Sequence, residues 1–105
     1  MPTAFTTMVM DLISRIPSGR VATYGSIALA AGNPRAARQV ARILHSCSDK
    51  GQLPWHRVVN RDGQISLPRF GGYELQKQLL EQEGVVFDQA DRINLEQFHW
   101  KCTGR

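Results

Sequence analysis

The feature that most constrains this chain is a tight Gly32-Asn33-Pro34 turn between two helix-forming segments. Glycine after a helix adopts the left-handed conformation that closes its last turn. Asparagine followed by proline is favoured at the start of the next helix. We therefore predict one helix over residues 24–31, capped by Thr23, and another, capped by Asn33, from Pro34 to about Cys47. Together they form a helix-turn-helix.

The second of these helices is predicted to have an apolar face and a basic face. At about 100° per residue, one side carries Ala36, Ala37, Val40, Ala41, Ile43, Leu44 and Cys47. The opposite side carries Arg35, Arg38, Gln39, Arg42 and Ser46. Guanidinium groups on the open face of such a helix suit phosphates and base edges. The alternative is a solubilising arginine surface without a ligand.

Charge is distributed unevenly along the 105 residues, whose net charge is +4. Residues 1–72 hold nine basic and three acidic side chains, whereas residues 73–105 hold four basic and six acidic ones. The positive field therefore belongs to the part of the chain that contains the helix-turn-helix. A polyanionic partner is favoured there.

The other elements follow from apolar spacing and turn residues. A first helix is indicated by a stripe that ends at Pro17-Ser18-Gly19; the stripe consists of Phe5, Met8, Val9, Leu12, Ile13 and Ile16. Residues 53–60 pass into a β-branched strand, residues 61–63 form a turn, and residues 64–66 pair back as a short hairpin. Such a hairpin beside a helix-turn-helix is a wing.

The last third of the chain is predicted to contain one more helix, over residues 73–83, with a stop at Gly84. Its buried side chains should be Leu75, Leu79 and Leu80. Residues 85–87 should be extended. Residues 88–105 should form an irregular end, anchored by Leu95, Phe98 and Trp100.

Length and composition favour a single domain over residues 1–105. Without a long apolar stretch or a signal-peptide pattern, we expect no membrane partner and an intracellular, cytoplasmic protein, nucleoid-associated if bacterial. Cys47 and Cys102 form no CxxC pair or zinc pattern. We therefore expect no metal and no cofactor.

Four stretches of the sequence together resemble a known family. They are Ile16-Pro17-x-Gly19-x-Val21-x-Thr23-Tyr24-Gly25, Ala31-Gly32-Asn33-Pro34-Arg35-Ala36-Ala37-Arg38-Gln39-Val40, Pro54-Trp55-His56-Arg57-Val58-Val59 and Glu81-Gln82-Glu83-Gly84. They resemble the DNA-binding C-terminal domain of the O6-alkylguanine-DNA alkyltransferases, and more closely the alkyltransferase-like proteins. The resemblance implies a mainly α fold with a small β-hairpin, a winged helix-turn-helix-like DNA-binding domain.

One position departs from the alkyltransferase pattern. In that family a Pro-Cys-His-Arg-Val box carries the alkyl-accepting cysteine, and here Trp55 takes its place. Transfer needs a thiolate, and an indole N–H can only donate. The resemblance therefore implies that no catalytic residue is present and that the protein is not an enzyme. His56 and Glu83, the family's His and Glu, would remain as a structural hydrogen-bond relay.

The resemblance also implies a way of binding. The protein would enter the minor groove of duplex DNA, flip an O6-alkylguanine and hold it in a pocket. Arg38 would fill the gap in the base stack, and Tyr24 would crowd the phosphate beside the target. The remaining implied DNA contacts are Arg35, Ala36, Ala37, Gln39 and Ala41. The implied pocket consists of Trp55, the carbonyl groups of Trp55 and Val58, Tyr24 and Arg69.

By this resemblance the protein is a monomeric damage sensor that presents the lesion to nucleotide excision repair proteins. Two alternatives from other classes stay open. An enzyme would move the alkyl group to protein or leave an abasic site. A winged helix-turn-helix regulator would prefer a specific undamaged sequence through the major groove.

Arg57 is interpreted as a structural ion-pairing residue.

Overall fold

The computed structural model describes residues 3–51 and 53–101, and the side chains of all of these except residues 47–51. Its helices are α1 (Ala4–Ser14), α2 (Tyr24–Ala30), α3 (Ala37–Gly51), α4 (Tyr73–Gln82) and α5 (Leu95–Phe98). Two short strands, β1 (Ala22–Thr23) and β2 (Val58–Val59), and a 3₁₀ turn at Trp55–Arg57 complete the regular structure. The mainly helical fold class is confirmed. None of the described helices is long and apolar enough to cross a membrane.

The turn between α2 and α3 closes by backbone hydrogen bonds. The N–H of Asn33 donates to Ala28 O (2.9 Å) and that of Gly32 to Leu29 O (3.0 Å), the pattern in which a left-handed residue ends a helix. Gly32 has the required positive φ of 97°. Thr23 caps α2 in a reciprocal capping box with Ser26. The predicted α2, its cap and its stop are confirmed to within one residue.

The start of α3 differs from the prediction. Asn33 Oδ1 accepts from the N–H of Arg35 (3.2 Å), and Asn33 O accepts from that of Ala36 (3.1 Å). These bonds fold residues 33–36 into a tight turn of their own, because a short Asx side chain competes for nearby backbone donors. The helix therefore begins at Ala37 rather than at Pro34.

The predicted hairpin is wrong, although a two-stranded sheet is present. β2 pairs in parallel with β1, with Ala22 opposite Val58 and Thr23 opposite Val59. Residues 64–66 form no strand and are linked to this region by the bond from Asn60 N to Gln64 O. A half-exposed hairpin strand alternates apolar and polar residues, whereas Val58 and Val59 are both buried, which is typical of parallel pairing.

The sheet separates two apolar clusters. Neighbouring strand residues point to opposite faces, so that Val58 and Ala22 join the first cluster while Val59 and Val21 join the second. The first cluster lies among α1, α2 and α3, and the second includes Leu80 of α4 and Phe98 of α5. The C-terminal segment is joined to it by the bonds Val21 N to Phe98 O (2.9 Å) and Trp100 N to Val21 O (2.7 Å).

The predicted core is largely confirmed, but Leu79 is only half-buried and two further side chains are exposed. Met8 is 48% exposed and Leu75 is 53% exposed. In α4 the inward position next to Leu75 is taken by Gln76, a polar residue that is buried. Leu95, Phe98 and Trp100 pack against the clusters as predicted. The predicted position of the Cys47 side chain on the apolar face of α3 and the predicted irregular end beyond residue 101 lie outside the described residues.

Gly63 is the glycine on which the fold is expected to depend most. Its φ is +76°, and a Cβ there would collide with the carbonyl oxygen of Ile93. Gly63→Ala should lower the free energy of unfolding by about 3 kcal/mol or more, measured by urea denaturation, because left-handed strain adds to the collision. The control is Gly84→Ala, with φ +93° and no described atom within 4 Å of the added Cβ, which should cost about 1–2 kcal/mol. Equal losses would contradict this account.

Candidate nucleic-acid interface

An open cavity of about 790 Å³ lies beside α3. Its walls include Tyr24, Arg38, Ala41 and Trp55, together with residues of the loop before α4 and of α4 itself. The structure therefore brings together four of the residues that the sequence singled out. A cavity of this size can hold a ligand as large as a nucleobase.

Trp55 lies in the 3₁₀ turn that leads into β2. Its side chain is half-buried and packs against the first apolar cluster. The imidazole of His56 meets the indole edge-on, with 6.0 Å between ring centroids and 83° between ring planes. The indole is thus fixed by the core while still contributing to the cavity wall.

The carboxylate of Glu83 connects three segments of the chain. It accepts from His56 Nε2 at 2.7 Å, from Arg57 Nε and NH2 at 3.0 and 2.8 Å, and from the N–H of Gly19 at 3.2 Å. Arg57 also donates from NH1 to Ile16 O at 2.8 Å. Arg57 is therefore the structural ion-pairing residue that the sequence predicted. The His56–Glu83 contact has the geometry of the implied relay, while its role stays a prediction.

The surroundings of Glu83 act on its pKa in opposite directions. Burial raises it, but the hydrogen bonds from Arg57, from His56 and from the Gly19 N–H together outweigh burial and lower the pKa from 4.5 to about 2. Glu83 is therefore ionised at neutral pH. The single negative charge of Glu83 therefore holds two side chains of the Trp55–Arg57 turn, those of His56 and Arg57.

Exposed basic side chains lie on the outer face of α3 and on the turn just before it. The side chains of Arg35, Arg38 and Arg42 are exposed, as is Gln39. In the described part of the chain, none of these three arginines has a carboxylate partner. An unpaired guanidinium can bind phosphate without first breaking an internal ion pair.

The alanines assigned to DNA contact divide into two kinds. Ala37 and Ala41 are half-buried, and Ala41 lines the cavity. Ala36, in contrast, is 7% exposed and belongs to the first apolar cluster. Its side chain packs inward just before the first residue of α3, and its assignment as a DNA contact stays a prediction.

Tyr24 is attached to the far wall of the cavity. Its hydroxyl lies 3.0 Å from Ser66 Oγ, in the segment that follows β2. The first residue of α2 is therefore linked to the loop that forms the other side of the cavity. Sequence reasoning had no signal for Ser66, because the contact joins residues far apart in the chain.

The two carbonyl groups assigned to the pocket each accept a hydrogen bond within the protein, and a carbonyl oxygen can accept a second one. Trp55 O accepts from the N–H of Val58. Val58 O accepts from Gln76 Nε2 at 3.0 Å, and His56 O accepts from the same nitrogen at 3.0 Å. Gln76 is 3% exposed and lines the cavity. Sequence reasoning missed Gln76, whose one signal was a polar residue at an inward helical position.

Arg69 is not part of the cavity wall in this structure. Its guanidinium lies 4.6 Å from the centroid of the Tyr73 ring and 3.6 Å from Asp91 Oδ2, and its side chain is 67% exposed. Hydrogen bonds from Tyr73 and Lys77 lower the pKa of Asp91, so the carboxylate stays charged beside the arginine. A pocket role for Arg69 would require it to leave both partners.

A second cavity, of about 530 Å³, has the opposite character. Its walls include the carboxylates of Asp62, Asp88 and Glu96, with Arg92 as a basic residue. It shares no lining residue with the cavity beside α3.

Among the described residues, no three His, Cys, Asp or Glu side chains are grouped so that they could hold a metal ion.

Comparison with known proteins identifies this architecture. Residues 4–85 match the family described as 6-O-methylguanine DNA methyltransferase, DNA binding domain. The chain therefore belongs to this family. Within it, the chain is similar to proteins named for base flipping or as alkyltransferase-like, so the resemblance drawn from the sequence is confirmed.

Three relatives illustrate that similarity. The chain is 44% identical over 99 residues to a DNA base-flipping protein of Escherichia coli. The alignment covers 92% of this chain and 74% of the relative. It is 40% identical over 102 residues to alkyltransferase-like protein 1 of Schizosaccharomyces pombe, covering 92% and 94%. The crystal structure of S. pombe Atl1 in complex with damaged DNA containing O6-carboxymethylguanine matches with a TM-score of 0.81 and 38% identity, over 96% of this chain and 99% of that chain.

The Glu83 contacts predict how stability depends on pH. A carboxylate whose folded-state pKa is lowered from 4.5 to about 2 contributes stability above pH 4.5 that is lost as pH falls towards 2. At about 1.4 kcal/mol per pKa unit, the contribution is about 3 kcal/mol. Urea denaturation between pH 7 and pH 3 should therefore show a steep loss in the wild type and a weaker dependence in Glu83→Gln.

Glu83→Gln should also be less stable at neutral pH, because the Arg57 guanidinium loses its counter-charge. Glu81→Gln is the matched control, since Glu81 is exposed on the same helix. It should keep the wild-type pH profile. Identical profiles for the wild type and Glu83→Gln would show that this carboxylate does not carry the pH dependence.

Proposed function

We propose that this protein is a non-enzymatic sensor of O6-alkylguanine in duplex DNA. It binds through the minor groove, flips the damaged base into the cavity beside α3 and holds it there with the alkyl group intact. The observation that carries the proposal is Trp55: an indole, rather than a thiol, lines this cavity next to the hydrogen-bonded His56–Glu83 pair.

Binding to DNA is supported by the charge and shape of α3. Its exposed arginines are unpaired within the described residues, and the side chains at Ala37 and Ala41 are small enough for the helix to approach a narrow groove. The position of α3 within a helix-turn-helix suits insertion into a groove. The E. coli relative is named a DNA base-flipping protein, and S. pombe Atl1 has been crystallised with damaged DNA.

Flipping is supported by the residues at the cavity mouth. Arg38, on α3, is both exposed and part of the cavity wall, so it can take the place of the base that enters. Tyr24 lies on the wall and can crowd the adjacent phosphate. Flipping costs a few kcal/mol and costs less where pairing is already weakened, as it is at an alkylated guanine. Selectivity for damage follows in part from this difference.

Retention without repair follows from the chemistry of Trp55. Alkyl transfer needs a nucleophile with an available electron pair, and the indole nitrogen is a donor only. Its π face can instead stack on the flipped base, which contributes about 1–3 kcal/mol per base in comparable contacts. His56 and Glu83 then hold the turn that carries Trp55 rather than activating a sulfur.

Because the lesion remains in the DNA, a repair step must follow binding. We propose that the protein acts as a monomer in the cytoplasm, nucleoid-associated in a bacterium, and presents the lesion to nucleotide excision repair proteins. This step rests on the family resemblance. An incision assay with purified excision-repair proteins tests it, and a lesion that is incised at the same rate with and without this protein contradicts it.

Damage recognition is tested by competition binding at stated salt, since phosphate contacts dominate nonspecific affinity. Two duplexes are matched except for one O6-methylguanine. The wild type should prefer the damaged duplex, and Trp55→Ala should reduce this preference by about tenfold while nonspecific affinity changes little. Equal losses on both duplexes would remove Trp55 from the base-binding site.

Absence of transfer is checked in the same samples by intact-protein mass spectrometry and by analysis of the recovered strand. The protein mass should be unchanged and the base should remain methylated. A gain of one methyl group, restored guanine or an abasic site would replace the proposal with an enzyme. Preference for a particular undamaged sequence would replace it with a regulator.

Base extrusion is tested with a duplex carrying 2-aminopurine beside the lesion, whose fluorescence rises when stacking is lost. Arg38→Ala should abolish the rise and weaken damaged-DNA binding by about tenfold, because nothing then fills the gap in the stack. Arg92→Ala removes the same charge from a residue outside this cavity and should keep the rise. Undiminished flipping in Arg38→Ala would reject the intercalating role.

A further inference from the structure

Among the described residues, Phe70 is the most exposed of the large apolar side chains, at 98%. Its backbone is also unusual, because its φ of +64° lies in the left-handed region that bulky residues rarely adopt. A single exposed apolar side chain is common on protein surfaces. Backbone strain at the same residue is not common, and such strain is typical of functional sites.

The left-handed conformation is fixed by hydrogen bonds of the loop before α4. The N–H of Gly71 donates to Pro68 O at 2.9 Å and closes a four-residue turn in which Phe70 is the third residue. The N–H of Phe70 itself donates to Glu74 Oε1 at 2.9 Å. Turns with a positive φ at the third residue usually have glycine or asparagine there. The ring is therefore held out in solvent, and its exposure means that packing within the protein does not offset the strain.

The loop that carries Phe70 forms one side of the cavity beside α3. Leu67, Gly71 and Gly72 line the cavity from this loop. Arg38 lines it from α3. A strand whose base enters the cavity must cross its mouth, so the nucleotides on either side of the flipped one lie over the two sides of the cavity. The exposed ring belongs to the loop side, next to residues of the wall.

We propose that the Phe70 ring is an apolar wedge that packs against the base next to the flipped one on the damaged strand; this rests on the proposed function. Proteins that bind the minor groove frequently insert apolar side chains, phenylalanine among them, at base steps that they open. A ring already fixed outside the protein loses little conformational freedom on binding. The contact slows the return of the flipped base to the stack and adds to the role proposed for Arg38 on the other side of the cavity.

Phe70→Gly separates this role from a structural one. Glycine adopts a positive φ without strain, and this relief offsets its greater freedom in the unfolded chain. The variant should therefore unfold at a urea concentration at least as high as the wild type. Its affinity for a duplex with one O6-methylguanine should fall about tenfold, while its affinity for the undamaged duplex should change by less than about twofold. Phe70→Tyr keeps the ring and should keep the wild-type affinity.

Val86→Gly is the matched control, because Val86 is also an exposed apolar residue, at 64%, and lies outside this cavity. It should keep the wild-type affinity for both duplexes. Wild-type affinity of Phe70→Gly for the damaged duplex would overturn the inference and leave the ring available to a protein partner, while the proposed function would stand. Failure of the wild type to prefer O6-methylguanine over guanine would instead overturn the proposed function.

A double-mutant cycle between protein and DNA locates the contact. In two further damaged duplexes, the nucleotide on the 5′ side or on the 3′ side of the lesion is replaced by an abasic residue. On at least one of them, Phe70→Gly and the wild type should bind within about twofold of each other, because the base that the ring covers is absent. A difference of about tenfold retained on both duplexes would overturn the inference, since the ring would then contact something other than a neighbouring base.

Discussion

The arrangement of the site depends on the hydrogen bonds that the carboxylate of Glu83 accepts. It binds the Gly19 N–H, His56 and Arg57, three groups that lie 64, 27 and 26 residues away in sequence. Arg57 passes the connection on to Ile16 O at the end of the first helical segment. The turn carrying Trp55 is therefore fixed both to the C-terminal end of α4 and to the chain that follows α1. A partly buried charge with this many donors is held firmly, because each hydrogen bond that is not formed would leave a partly desolvated group without a partner.

The small parallel sheet determines where the helix-turn-helix lies relative to the Trp55–Arg57 turn. β1 leads without a break into α2, and β2 follows directly from the Trp55–Arg57 turn. Pairing the two strands therefore sets the helix-turn-helix beside the turn, and the cavity lies where they meet. Two residues per strand suffice because both faces are buried, each against its own apolar cluster. A polar side chain at Val58 or Val59 would be buried in one of these clusters, which costs free energy unless it finds a hydrogen-bond partner.

The sequence predicted correctly those features of the fold that depend on contacts between residues close together in the chain. The Thr23 cap, the Gly32 stop and the two faces of α3 depend on neighbouring residues, and all three are present in the structure. The strand partner of Val58 was predicted wrongly, because residues 64–66 are near in sequence whereas Ala22 is near in space. Gln76 was overlooked because its burial is compensated by carbonyl groups of a distant turn, which no helical periodicity reveals. Arg69 could be assigned only by resemblance, since its contact with Asp91 joins residues far apart in the sequence.

The contrast between the two cavities has a consequence for the approach to DNA. Exposed arginines that have no carboxylate partner among the described residues gather on and just before α3, whereas carboxylates of Asp62, Asp88 and Glu96 surround the other cavity. Separated centres of positive and negative charge give the molecule an electric dipole. In the field of a polyanion such a dipole experiences a torque, so the protein tends to arrive with α3 leading before any contact forms. Ionic strength shortens the range of that alignment to about 10 Å at 0.1 M salt.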